Sequence, residues 1–493
     1  MLLYFNTMNQ SNLLRSRRNF LKLGSCAFIS ASLRGQQILG ANSRLRLAIV
    51  GCGIRGNEHL KMFHKLPDVE IVAICDPDTA RMDGMMARFN KKRPSEETLK
   101  VDHIQDYRKL YERMDIDAVV IASPNYWHAL HAIQAMQAGK HVYLEKPVSF
   151  TPWESAQLEA AERKYSKVIA AGYQNRSSTG PRAGIKYVQD GNLGKIRKVR
   201  SICYRNRDSI GKLTEPLKIP DTVDYDLWLG PAKQHTLMRP QFHYDWHWDF
   251  HTGSGDIGNQ GVHEIDLVCW LLGDPELPRK IQTFGNRFAW DDAGDTPNMI
   301  TSWFQMGGAD VIIEVNDMRL SPDRNVSPHF MGTRVGIVAE CEKGYLKGGR
   351  FGMMAVEPDG KTVIKKFPGD GGETHPRNFV DAVKASDSSL LRSSIRSANA
   401  SACLAHFSNI SHRVGELAGS NSLKEFLSSN HDLSKILSSQ DEQLTAWGIP
   451  EPEYFVGQSL QIDPTLRTIE GPWVDESLTG PHYRKGFELK PVV

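Results

Sequence analysis

Three glycines and one aspartate are the first residues whose spacing points to chemistry. Gly51, Gly53 and Gly56 stand at G-x-G-x-x-G intervals, with Ile54 and Arg55 inside the turn, after the apolar run 45–50. That run reads as a buried strand. In such a turn the first glycine permits a tight bend, the second lets backbone approach a pyrophosphate, and the third lets helix lie close on strand. The helix that follows would offer its free N–H groups to the phosphates. A second apolar run, 69–75, ends at Asp76, about 20 residues further on, where an acid can bond both ribose hydroxyls. The glycines alone are an ordinary strand–helix turn. With Asp76 they predict a bound nicotinamide dinucleotide, and a carboxylate that would repel a 2′-phosphate favours NAD.

A second chemistry-bearing stretch lies far downstream, at Phe242-His243-Tyr244-Asp245-Trp246-His247-Trp248-Asp249-Phe250-His251. Rings stack on sugar C–H faces while polar tips bond hydroxyls, so Tyr244, Trp246 and Trp248 are candidates for holding a carbohydrate. The histidines also recur every four residues, a spacing that metal ligands can use. Spacing alone does not make ligands converge, so no metal is assigned.

These residues need elements to position them. A strand at 118–122 runs into Ser123-Pro124-Asn125-Tyr126-Trp127-His128. Strand ends in doubly wound sheets face the ligand crevice, which makes Ser123, Asn125, Trp127 and His128 cofactor candidates. Gly139 closes the helix behind them, and the next strand, at 141–144, delivers Glu145-Lys146-Pro147. A helix at 181–189 and a long strand at 194–204 open a second domain. Strands at 280–283, 299–305, 311–315, 334–339, 345–347 and 362–364 follow, then helices opening at Thr374 and spanning 397–414.

The run Ser123-Pro124-Asn125, His128, Ala138-Gly139-Lys140-His141-Val142 and Glu145-Lys146-Pro147 resembles the Gfo/Idh/MocA oxidoreductase family over roughly residues 45 to 420. The resemblance implies an α/β fold: an N-terminal Rossmann dinucleotide-binding domain and a C-terminal α+β domain with a large, mainly antiparallel open sheet. The expected divisions are a leader at 1–43, the NAD-binding domain at 44–176, the substrate and oligomerisation domain at 177–418, and a C-terminal arm at 419–493 with one short helix. By the same resemblance Lys146 reaches the substrate hydroxyl and the nicotinamide ribose, with Glu145 beside it. Gln174 is then a cofactor candidate and Arg176 a substrate candidate, although a structural ion pair explains an arginine there equally well. Gly253 to Asp266 is similar to the family's glycine-rich turn and catalytic helix. His263 fits the family's histidine, whereas the aspartate expected four residues earlier is Asn259. An amide can hold a hydroxyl in register but cannot relay a proton. Proton abstraction then falls to His263 and Lys146, with Asp256 or Glu264 assisting.

Composition narrows the rest. At 493 residues, two domains are the natural expectation. The net charge of +3 is spread without a basic tract, which argues against nucleic acid as a partner. The seven cysteines form no C-x-x-C pair and read as small buried hydrophobes, with disulfides still open. Ser16-Arg17-Arg18-Asn19-Phe20-Leu21-Lys22 is a twin-arginine export signature, and the apolar segment at 23–33 is too short for a permanent membrane anchor. The expected location is the periplasm or another exported site, and the expected assembly a homo-oligomer, dimer or tetramer. Export removes the protein from the free nicotinamide pool, so the cofactor should stay bound and be restored in each cycle. The expected activity is oxidation of a sugar carbinol by NAD within a redox-neutral cycle such as oxidation, elimination and hydration of a glycoside. A plain sugar or polyol dehydrogenase, a sugar–sugar oxidoreductase and a non-catalytic sugar binder are the alternatives.

Overall fold

The structure, a computed structural model, describes residues 44–470, 476–480 and 483–492. The twin-arginine segment lies outside the described residues. Six short strands, mostly apolar except for the edge strand β3, form the first sheet: β1 (Leu45–Val50), β2 (Val69–Cys75), β3 (Asp102–Ile104), β4 (Ala118–Ile121), β5 (His141–Leu144) and β6 (Ile169–Ala171). They pair in parallel in the order β3-β2-β1-β4-β5-β6. Such strands must be apolar on both faces, and every residue of β4 is buried. The chain leaves β1 towards β2 on one side and takes up β4 on the other. A crevice therefore opens between the ends of β1 and β4, beside Gly51 and Ser123.

Of three connecting helices, the first starts from a glycine and the other two on side-chain caps. In α1 (Ile54–His64) the helix begins directly from the glycine turn. Asp78 caps α2 (Thr79–Asn90) by accepting from the Ala80 N–H at 3.0 Å. Thr151 caps α3 (Pro152–Tyr165), with proline in the first turn where no N–H is needed.

The second sheet has twelve strands. Its path is β14 (Val363–Pro368), β13 (Gly352–Val356), β12 (Gly344–Gly349), β11 (Val335–Cys341), β7 (Ile196–Tyr204), β10 (Ala309–Asn316), β9 (Met299–Met306), β8 (Lys280–Asn286), β16 (Glu453–Val456) and β15 (Glu416–Gly419). β17 (Leu460–Asp463) pairs with β8, and β18 (Thr468–Glu470) with β17. Only the β7–β10 pair is parallel. Helix α4 (Val262–Leu271) packs against β7 and β11. Two later helices return to the first sheet, as the resemblance implies. In α5 (His375–Ala385) Phe379 meets Phe63 of α1 edge-on at 6.2 Å, and Arg377 and Lys384 both pair with Asp68. In α6 (Ile395–Arg413) Asn399 donates to the Ser155 carbonyl at 2.8 Å.

The segment after Gly419 departs from the sequence reading. In place of an arm with one short helix, its described residues form the helices Ser420–Phe426 and His431–Ala446 and the short Glu476–Thr479, and contribute strands to the large sheet. Leu433, Leu437, Leu444 and Tyr454 build a second core with Phe284, Met299 and Ile312. Its apolar residues are sparse and lie between serines, which hid the helical period. The six described cysteines are all free and buried.

Candidate functional site

One cavity of about 490 Å³ runs from the glycine turn to the aromatic–histidine segment. At its nucleotide end, Gly51 has a φ of +93°, and a methyl group there would stand 2.5 Å from the Ala122 carbonyl oxygen. A methyl on Gly56 would lie 1.9 Å from the Gly51 oxygen, so only glycine lets α1 lie this close to β1. Gly53 has nothing within 4 Å of that position, leaving open the room a pyrophosphate needs. Asp76 closes this end. Its carboxylate accepts the Cys52 N–H at 2.7 Å and the Asp78 N–H at 2.9 Å, and burial raises it to about 6. Ile54, Arg55, Ser123, Asn125, Trp127 and His128 also line the cavity. The turn thus has the cradle and the acid that a dinucleotide requires.

Glu145 and Lys146 form its middle. Glu145 is buried and accepts from Arg55 Nε and His59 Nε2, both at 2.7 Å, and from Gln174 at 3.2 Å. Burial works to raise its carboxyl, but Arg55, His59 and Lys146 outweigh it and hold it well below the usual range. Lys146 extends the other way. Its Nζ donates to the main-chain carbonyl of Asn259 and lies 3.4 Å from the Asn259 side-chain oxygen. Burial lowers its pKa, with Glu145 opposing.

Asn259 reaches Lys146 because α4 is entered through a single π turn, Ile257–Gly261. A π turn admits one extra residue and re-aims the side chains around it. Its Nδ2 donates to Asp256 at 2.8 Å, and Asp256 also takes Arg207 Nε and NH2 at 3.0 and 2.9 Å. Behind them lies Asp317, fully buried, whose carboxyl oxygens meet no N–H donor. Burial and the neighbouring Asp256 push it well above the usual carboxylate range, so it is neutral. Glu264 is likewise buried and raised to about 8, with Gln260 3.3 Å from both oxygens.

Tyr244, Trp246 and His247 line the far end. Trp246 and His247 stack with centroids 3.6 Å apart. His247 Nδ1 donates to the Tyr244 carbonyl at 2.7 Å, which leaves Nε2 as an acceptor, and burial takes its pKa down to about 3.

The residues match two family profiles. Residues 45–173 match the oxidoreductase family's NAD-binding Rossmann fold, and 206–442 match that family's C-terminal alpha/beta domain. The chain belongs to the Gfo/Idh/MocA oxidoreductase family. NAD is therefore the nucleotide of the glycine cradle. This Gfo/Idh/MocA chain is 38% identical over 120 residues to a glycosyl hydrolase family 109 protein of Shewanella sp. (strain W3-18-1), covering 24% of this chain and 26% of that protein. It is 37% identical over 120 residues, with the same coverage, to an alpha-N-acetylgalactosaminidase of Shewanella oneidensis. The match spans about a quarter of the length of these curated relatives. Among solved structures, levoglucosan dehydrogenase in complex with NADH and levoglucosan shares the fold at a TM-score of 0.55, with 18% identity over 74% of this chain and 95% of that one.

Arg176 is not available to a substrate: it is buried, with Nε on Asp266 at 2.9 Å and its other nitrogens on Asp274 at 2.6 and 3.0 Å. Gln174 is outside the cavity wall and bonds Tyr143 and Glu145. Trp248 is buried beneath Arg207, whose guanidinium lies 5.4 Å from its ring centre. His263 does not line the cavity. It packs edge-on against Tyr173, its Nδ1 is buried without a partner, and burial and Lys146 keep it neutral. The histidine repeat is not a helical face, since only Asp245–Trp248 forms one 3-10 turn. His243 bonds Asp78, His247 bonds Tyr244, and His251 bonds Asp249, so the three do not converge. Arg205, Arg207 and Gln260 line the cavity and were not singled out. The signal for the two arginines was their place just past a strand's C-terminal end.

Proposed function

We propose that this protein oxidises a carbohydrate or glycoside with NAD that stays bound through each cycle, most fittingly in redox-neutral glycoside cleavage. NAD, when bound, supplies the hydride acceptor and returns the hydride at the end of the cycle. The observation that carries this reading is the continuity of one cavity from the glycine cradle to Lys146 and on to Tyr244, Trp246 and His247. Lys146 is the cation placed to stabilise alkoxide character on a sugar oxygen. Asn259 fixes the direction of its ammonium, and Asp256 fixes Asn259. The aromatic end holds the ring, and His263, off the cavity wall, takes no direct part. Export through the twin-arginine route to the periplasm, and a homo-oligomeric state, belong to the same proposal. The family 109 names of the relatives agree with the cleavage cycle.

The test is Lys146→Met with NAD retention and turnover measured on the same sample. Turnover should fall by about 10²- to 10⁴-fold while NAD remains bound. A variant that turns over glycosides at the wild-type rate would remove Lys146 from the chemistry.

A further inference from the structure

Arg205 follows the last residue of β7, and its backbone N–H donates to the Asn316 carbonyl at 2.8 Å, at the end of the parallel neighbour β10. That fixes its backbone at the substrate end of the cavity, beside the π turn. The other positive groups there are already engaged. Arg207 is clamped bidentately to Asp256, and Lys146 is held on Asn259. The Arg205 guanidinium lines the same cavity, is partly buried, and makes no hydrogen bond or ion pair to any described residue. The two acids close enough to feel its charge do not neutralise it. Asp256 is saturated by Arg207 and Asn259, and Glu264, raised to about 8 by burial, is a neutral acid at pH 7. A planar fork of N–H donors left open beside the paired Arg207 and Lys146 is suited to bind an oxyanion bidentately.

We propose that Arg205 selects an anionic substrate, a sugar bearing a carboxylate or a sulfate ester. The proposal rests on the carbohydrate reading above and narrows it. An uncharged sugar would leave the guanidinium to water, whereas an oxyanion supplies two parallel charge-assisted hydrogen bonds.

The test compares the methyl glycosides of glucuronic acid, glucose 6-sulfate and glucose, with their galactose counterparts, as ligands of the NAD-loaded full chain. Binding is followed by calorimetry at low and high NaCl. The anionic members should bind about 10- to 100-fold more tightly than the neutral ones, and that margin should shrink with salt. Arg205→Gln should reduce the margin to within about threefold, and Arg205→Lys should restore part of it. The carboxylate and sulfate arms show which oxyanion is preferred. Equal binding of charged and neutral sugars, or a margin that survives in Arg205→Gln, overturns the proposal. No change in nicotinamide absorbance with any sugar that binds would instead overturn the redox reading and leave the selectivity result standing.

Discussion

Asn259→Asp restores the residue the family pattern carries, and the local geometry predicts that it harms this protein. The amide N–H that now donates to Asp256 at 2.8 Å would become a second carboxylate facing the first. Stability should drop by about 1–3 kcal/mol, and turnover should fall with it because the donor that ties residue 259 to Asp256 is gone. Melting curves and rates on the purified variant check both. A gain in activity would show that the family's carboxylate is simply missing here. Glu264 gives a pH signature. Its pKa in the fold is about 8 against an ordinary 4.5, so the folded state binds the extra proton across that interval. The stabilisation is complete below about 4.5 and is lost as pH rises through about 8. Glu264→Gln, neutral throughout, should flatten the fall in denaturant midpoint between those values; an unchanged slope would assign the effect to other groups. Residue identity was legible at the glycines, Asp76 and Lys146 because each sits at a strand end. It was not legible at Arg205 or Asp317, whose significance depends on which neighbours are already paired.

The elements were easier to read than their joints. Strand β4 appears in the sequence as an uninterrupted apolar run, and β1, β2 and β5 as apolar runs with a single polar residue each, close to what strands buried on both faces require. The π turn before α4 has no such signal, since one inserted residue leaves the helical period of Val262–Leu271 nearly intact. Yet that turn sets Asn259 on Lys146. Arg176 shows the same limit: an arginine after β6 reads equally as a substrate ligand or a brace, and only the fold reveals Asp266 and Asp274 around it. As a brace it ties the end of the first sheet to α4. Arg176→Ala should therefore destabilise the protein by about 3–5 kcal/mol, mainly by leaving Asp266 buried and unpaired. KM for the sugar should stay constant in the folded fraction. A raised KM with unchanged stability would return Arg176 to the substrate site.

At the scale of the molecule, the two-sheet division was legible because the family motifs span both. The tail after Gly419 was not, because its contribution to the large sheet comes from pairing β16 and β17 with β8, far away in sequence. Exposed Phe351, Val363 and Ile364 lie along the β12–β14 end of that sheet. The proposed cycle keeps NAD in place and restores it at each turnover. Absorbance of the purified protein in the reduced-nicotinamide band, followed during addition of a glycoside panel and then after denaturation, tests it most directly. NAD should be released only on denaturation, the reduced band should rise transiently and return, and free sugar should appear without added nucleotide. Stoichiometric accumulation of NADH that stops until external NAD is supplied would contradict it.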